Sequence, residues 1–318
     1  ALEGGDRCIA VGSGLSAVCT AMLAFVEYGD HVLVCDSAYS PTRNLCEKFL
    51  KRFGVSTTYY DPLIGAGIKE HFQPKTRAIY TESPGSHTFE VQDIPAIAVQ
   101  CHSAGIKVII DNTWSAGYFF KPFDNGADIS IQAATKYYVG HSDAMLGAVT
   151  TLQEDYSAVR DSARILGYHA APDDAYLGLR GIRTLATRLK RHEKNALIVA
   201  DWIANQPEIL TVLHPAFPTC PGHEFWKRDF TGSSGLFSVL LKESSDEAVA
   251  AMIDGLEYFA LGGSWGGYES LVFRTQLTRT VTDWNAATPC IRLHIGLEDP
   301  KDLIDDLAAG LKRLGAAM

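Results

Sequence analysis

Six short apolar runs alternate with helical segments across the first half of this chain, and that alternation narrows the fold more than any other feature. RCIAVG (7–12), HVLVCD (31–36), RAIYTES (77–83), KVIIDN (107–112), DISIQ (128–132) and GAVTTL (147–152) have the length and branched apolar content of buried strands. Between them, residues 15–28, 41–53 and 93–104 carry apolar side chains at helical spacing. Pro41 suits a helix start, and Gly29, Gly54 and Gly105 suit helix ends. Strand and helix in turn predict an α/β fold with a mainly parallel sheet covered on both faces, and such sheets bind ligands at the carboxyl ends of their strands.

The texture changes after about residue 175. GIRTLATRLKRHEKNALIVADWIANQ (181–206) reads as one long helical stretch, and the following segment, 214–235, is interrupted by Pro215, Pro218, Pro221 and Gly222. A strand (LFSVLL, 236–241), a helix near 245–259, a second strand (IRLHIG, 291–296) and a terminal helix from about 300 compose an α+β unit. The 318 residues allow about two domains. The expected division is 1–180, which binds the ligand, and 181–318.

Charge and cysteine usage remove several classes of function. Lys and Arg number 28 against 37 Asp and Glu, a net charge of −9, which disfavours nucleic-acid phosphate and anionic lipid as partners. No run approaches the roughly 18–20 apolar residues of a membrane helix and no secretory leader opens the chain, so a cytoplasmic protein is expected. The seven cysteines are scattered without CxxC or Cys/His spacing, which predicts buried thiols in a reducing compartment and no metal site. The chain opens on Ala1, almost directly in a strand, and a native segment ahead of it is expected.

Five places on this frame carry candidate chemistry. Lys136, in AATKYYVGHSD just past a strand, sits where an amine is desolvated enough to attack a carbonyl; a solvated loop lysine is the plainer role. Asp111 ends KVIIDN at the same sheet edge, as a strand-end cap or as the carboxylate that keeps a pyridine nitrogen protonated. GSGL (12–15) joins the first strand to the first helix, where backbone N–H groups and the helix dipole receive phosphate, and Thr135 has a hydroxyl to add unless it bonds its own strand end. Tyr39 either stacks on a ligand ring or packs on a helix. Arg292, inside a strand, needs an anion, whether a ligand carboxylate or an internal salt bridge. A lysine 25 residues after a strand-end aspartate is the constellation that pyridoxal phosphate requires. GSGL lacks both GxGxxG and GxxxxGK[ST], which lowers the prior for a dinucleotide-dependent oxidoreductase. His141, His192, His223 and His294 have no partner at ligand spacing and read as structural.

SIQAATKYYVGHSDAMLG, VIIDNTWSAG, TESPGS, HEFWKRDFTGSSGLFS, SWGGYESL and IRLHIGLEDPKDLIDDL together resemble the trans-sulfuration (Cys/Met metabolism) pyridoxal-phosphate enzymes of fold type I, from the first residue to the C-terminus. The resemblance implies a mainly parallel seven-stranded sheet with helices on both faces and a smaller C-terminal α+β domain. It implies that Lys136 carries pyridoxal 5'-phosphate as an imine, Asp111 pairs with the pyridinium, and Gly14 and Leu15 with Thr135 hold the phosphate. Tyr39 stacks on the ring, Arg292 takes the substrate carboxylate, and Ser264 and Trp265 line the substrate side. Trp265 after Ser264 is similar to the branch that splits cystathionine by β-elimination into homocysteine, pyruvate and ammonia. A γ-lyase, γ-synthase or cysteine-desulfhydrating member is the alternative. Lys136 is the expected base, and Lys136 or Tyr39 the proton donor to the leaving thiolate.

Three departures from the family pattern stand out. Ala133 replaces a frequent phosphate-binding serine, and Ser86 stands where an asparagine often contacts the ring oxygen. The chain also begins after the point where a Tyr-x-Arg pair of an N-terminal arm would reach a neighbouring subunit's phosphate. The implied assembly is a homodimer with shared active sites, paired into a homotetramer.

Overall fold

The computed structural model describes residues 1–242, 244–284 and 288–317. β1 (Arg7–Val11), β2 (His31–Cys35), β3 (Ser56–Tyr60), β4 (Thr76–Glu82), β5 (Lys107–Asp111), β6 (Ile129–Gln132) and β7 (Gly147–Thr151) form one seven-stranded sheet in the order β1-β7-β6-β5-β4-β2-β3. β2 to β6 pair in parallel, and β7 runs antiparallel to both β6 and β1. β2, β6 and β7 are buried along their whole length; β2 (HVLVC) accordingly reads as an unbroken apolar run, while β6 (ISIQ) alternates because Ser130 and Gln132 donate to the buried Glu3.

α1 (Gly14–Leu23) starts where Ser13 accepts the Ser16 N–H at 3.0 Å, and it buries Ala17, Val18, Ala21 and Met22 over β6 and β7. It ends at Leu23, short of residue 28, because the next residues leave helical geometry to pack Phe25 and Val26 on the core before Gly29 turns at φ +84°. α2 (Ser40–Asn44) opens with Pro41 near its start, then loosens into a π-helical turn and a tighter 3₁₀ turn that closes at Gly54. α3 (Ile94–Ser103) is capped by Asp93 and covers the sheet beside β5.

α4 (Tyr156–Ile165), α5 (Pro172–Ile182) and α6 (Leu185–Ala204) lead to a second sheet. It consists of β8 (Ile209–Leu213), β9 (Leu236–Leu241), β10 (Ala260–Leu261), β11 (Leu271–Arg274) and β12 (Cys290–His294), ordered β10-β11-β12-β9-β8. α6, α8 (Asp246–Asp254) and α9 (Pro300–Ala317) pack around a core of Val199, Ile203, Phe237, Val239, Ile291, Leu293, Leu307 and Leu314. The helix expected near 245–259 stops at Asp254, because Asp306 of α9 accepts the N–H groups of Glu257 and Tyr258 and draws that chain out of the helix. The segment 214–235 is not wholly irregular: α7 (His223–Asp229) begins just past Gly222, at φ +79°. Cys8 is exposed, contrary to the expectation for all seven thiols; the other six are buried.

The two sheets are tied together at the end of β2. Asp36, without exposure, accepts N–H groups from Thr280, Val281 and Thr282 at 3.0 Å each and the Arg43 guanidinium at 3.0 Å. Arg279 donates to the Asp36 carbonyl at 2.8 Å. A buried aspartate with this many donors fixes the segment following β11 beside Tyr39.

Candidate active site

Past β6 the chain turns sharply, with the Lys136 N–H on the Ala133 carbonyl at 2.9 Å and the Gly140 N–H on the Lys136 carbonyl at 2.8 Å. The Lys136 side chain enters a cavity of about 390 Å³ at the carboxyl ends of β4, β5 and β6, a size within the roughly 300–1,000 Å³ of ligand pockets. Its Nζ donates to Ser264 Oγ at 2.5 Å and lies 5.4 Å from the Trp265 ring centroid. Burial and the nearby Arg292 charge pull the Lys136 amine down to about 8, against the opposing pull of Asp111. The Ser264–Trp265 segment lies directly on the lysine's backbone: Gly266 has φ +87°, and a Cβ there would stand 2.9 Å from Lys136 Cα. His294 accepts the Gly266 N–H at 3.1 Å, so this structural histidine holds the segment in place.

Asp111 and Glu82 end adjacent parallel strands and face each other in register. Asp111 accepts from Thr113 N–H at 3.0 Å, Thr113 Oγ1 at 2.5 Å and the Tyr80 hydroxyl at 3.3 Å. Glu82 accepts the Tyr39 N–H at 2.8 Å and the Ser86 hydroxyl at 2.5 Å. Burial, then the charge of Asp111, pushes Glu82 up to about 8, and burial raises Asp111 as well. Burial and the neighbouring Asp111 charge thus leave Glu82 as the carboxyl that keeps its proton at neutral pH. Glu82 was not among the residues expected to act. Its signal in the sequence is the glutamate that ends RAIYTES, one strand over from the aspartate of KVIIDN.

At the other end of the cavity, Ser13 satisfies the Ser16 and Ala17 N–H groups of α1, while the Gly14 and Leu15 N–H groups have no partner among the described residues. Those are the two donors expected to receive phosphate. Ala133 explains its own departure from the family pattern: a Cβ on Gly14 would lie 2.6 Å from the Ala133 Cβ, so the two small residues fit each other and leave the helix start open. Thr135 lines the cavity, but its hydroxyl donates to the Leu146 carbonyl at 3.1 Å and accepts the Leu146 N–H at 2.8 Å. It takes the strand-end role. Ser86, in place of the asparagine, spends its hydroxyl on Glu82.

The second sheet supplies the remaining wall. Arg292 of β12 reaches the cavity with 7% exposure, and its Nη2 donates to the carbonyls of Gly263 at 2.8 Å and Ser264 at 3.2 Å. Burial lowers Arg292 to about 10, still fully charged at neutral pH. Tyr39 is half-exposed at the rim, and burial followed by the Glu82 and Asp111 charges raises its phenol, which therefore remains a proton donor. Lys136, Asp111, Gly14, Leu15, Tyr39, Thr135, Ser264, Trp265 and Arg292 all line this one cavity, and so does His87, on which no expectation fell.

The donors present fit pyridoxal phosphate. An amine of lowered basicity faces a carboxyl beneath the same space, and two free N–H groups stand at a helix start that a single Cβ would obstruct. The parallel sheet, its helical covering and this lysine–aspartate–helix arrangement define a fold type I PLP-dependent enzyme. A family model described as Cys/Met metabolism PLP-dependent enzyme matches residues 1–312, and the chain belongs to that family. Among curated proteins it is 48% identical to cystathionine beta-lyase MetC of Escherichia coli (strain K12), over 98% of this chain and 81% of that protein. It is 46% identical to cystathionine beta-lyase of Salmonella typhimurium, with the same coverage of 98% and 81%. Among solved structures, cystathionine gamma synthase from Xanthomonas oryzae pv. oryzae, in complex with aminoacrylate and cysteine, superposes with a TM-score of 0.93 at 30% identity, covering 100% of this chain and 84% of that one. Among the described residues no cluster of His, Cys, Asp and Glu has metal-binding geometry, and no helix is long and apolar enough to cross a membrane.

Proposed function

We propose that this chain is a PLP-dependent carbon–sulfur lyase that opens cystathionine by β-elimination, releasing homocysteine, pyruvate and ammonia. The observation that carries the reading is Lys136: an amine lowered to about 8, facing a cavity shared with Asp111 and Arg292, in a chain 48% identical to a cystathionine beta-lyase.

Bound pyridoxal phosphate supplies an electron sink for the pair left behind when the substrate's α-proton is removed. Asp111 would face the ring nitrogen and keep it protonated, and Thr113 and Tyr80 hold the Asp111 carboxylate in orientation. Gly14 and Leu15 N–H groups anchor the phosphate at the positive end of α1. The Lys136 amine would take the α-proton as base, at a basicity close to neutral pH where proton transfer is most effective. Arg292 receives the substrate carboxylate and so fixes which bond to the α-carbon faces Lys136. Tyr39, a phenol with its proton retained, gives that proton to the departing thiolate. Trp265 covers the lysine and excludes water from it.

The same reading takes residues 1–180 as the cofactor-binding unit and 181–318 as the smaller one, in a cytoplasmic homodimer that pairs into a tetramer. Leu15, Tyr39 and Met145 at the cavity rim are 41%, 47% and 58% exposed, which supports their being covered by a second subunit. The deciding experiment is product analysis with cystathionine and added pyridoxal phosphate. Pyruvate marks β-elimination; 2-oxobutyrate marks cleavage at the γ-carbon and would overturn the assignment. A visible band near about 420 nm reports the lysine-bound cofactor.

A further inference from the structure

His87 projects into the cavity from the turn between β4 and α3. Its backbone sits at φ +69°, in a left-handed conformation that a residue with a side chain adopts at a cost, and Phe89 two positions on does the same at φ +58°. The turn is pinned by Ser86 N–H on the Ser37 carbonyl at 2.9 Å and Phe89 N–H on the Gly85 carbonyl at 3.1 Å. Strain held in this way at a cavity wall is the kind that functional sites carry. Nδ1 of His87 is buried and has no hydrogen-bond partner among the described residues, so nothing in the fold commits the ring's hydrogen to that nitrogen.

Phe273 of β11 links His87 to the substrate side of the cavity. The imidazole stacks on the Phe273 ring at 6.5 Å between centroids, and Arg292 lies against that ring with its Cζ 5.3 Å from the centroid. Nη2 of Arg292, which takes part in both bidentate edges of a guanidinium, is already donating to the carbonyls of Gly263 and Ser264. A carboxylate drawn to Arg292 therefore competes with two backbone acceptors for that nitrogen, and a second donor beside it strengthens its hold. Burial and the flanking charges of Arg292 and Arg279 hold His87 in its neutral form, to about 3, so one ring nitrogen always carries a hydrogen to donate.

We propose that His87 is a substrate-binding residue whose imidazole N–H donates to the substrate carboxylate beside Arg292, so that the two side chains on Phe273 share one α-carboxylate. The idea deepens the reading of Arg292 given above and rests on it. The site thereby selects amines that bear an α-carboxylate, and the imidazole sets part of that selectivity.

The test compares L-alanine with ethylamine, the same amine without its carboxylate, on the holoenzyme. The readout is half-saturation of the shift in the cofactor's visible band. Glycine suits the left-handed backbone, so His87→Gly removes the imidazole without adding strain, and His87→Asn keeps a donor at a residue that tolerates the same conformation. His87→Gly is expected to raise the half-saturating concentration for L-alanine about tenfold while leaving ethylamine unchanged, and His87→Asn to recover most of the loss. With cystathionine the change should fall on KM more than on kcat. Equal weakening of both amines, or none, in His87→Gly overturns the proposal. Arg292→Gln separates the two ideas: if it abolishes the preference for L-alanine and His87→Gly does not, only the role of His87 fails; if neither variant alters the preference, the carboxylate reading of Arg292 fails too.

Discussion

Glu82 and Asp111 stand opposite each other at the ends of neighbouring parallel strands, two carboxyls at the foot of one cavity. Glu82 is held near 8 in the folded chain against an ordinary value of 4.5. Because the folded value is the higher one, the protonated carboxyl is tolerated at low pH, and stability is lost as pH rises from 4.5 through 8. A shift of this kind is worth on the order of a few kcal/mol. The resistance of the cofactor-free protein to denaturant should therefore fall between about pH 5 and 8 and level off above that, and Glu82→Gln should flatten the decline. Parallel curves for the two proteins would remove the Glu82 proton from the account.

The Lys136 amine, pulled down to about 8, makes a prediction about cofactor capture. Only the neutral amine attacks an aldehyde, so the rate at which the cofactor-free protein takes up pyridoxal phosphate should climb with pH around a midpoint near 8. A midpoint close to the ordinary lysine value of 10.5 would contradict the desolvation described here. Lys136→Ala should fold, lack the visible band, and lose at least about a thousandfold in turnover.

Gly266 meets the lysine's backbone at φ +87°. Gly266→Ala would drive a methyl group into Lys136 Cα, displacing the amine from Ser264 and Trp265. The expected result is a roughly 10- to 100-fold fall in kcat with a much smaller change in cofactor affinity, measured by turnover and by cofactor titration of the same preparation. An alanine variant with unaltered kcat would show that this contact yields without cost.

Asp36 predicts a coupling between the two sheets. Burial alone would raise its carboxyl, but the N–H groups of Thr282, Val281 and Thr280 outweigh that and hold it well below the usual carboxylate range. Asp36→Ala leaves those donors and Arg43 buried without an anion, a loss of about 3–5 kcal/mol. The Tm should drop by several degrees, and Tyr39, three residues along the chain, should lose order with it, seen as weaker cofactor binding. Asp36→Asn, which retains the acceptor but not the charge, should fall between the two.

Much of the architecture is legible in the sequence because the inner strands of the first sheet are buried on both faces, and continuous apolar runs such as HVLVCD admit few other readings; β1, expected to be buried, is an edge strand exposed at Arg7, Cys8 and Ala10. β3 escapes because STTYY lies at the sheet edge, where Thr and Tyr replace Val and Ile. β8 and β11 escape because each is flanked by turns that hide a short period. Lys136 and Asp111 are legible as strand-end residues, and the family blocks assign them a partner. Glu82 and His87 are not, since one depends on which strands become neighbours and the other on a left-handed turn folded against Phe273. Thr135 shows the opposite case: its position is legible, but its hydroxyl is committed to Leu146 by a backbone pairing that spacing does not reveal.

The cavity takes its amine from a loop after β6 and its guanidinium from β12, close to the C-terminus. During synthesis the lysine therefore leaves the ribosome long before Arg292, and a nascent chain truncated short of β12 lacks both that guanidinium's pull on the amine and the carboxylate anchor.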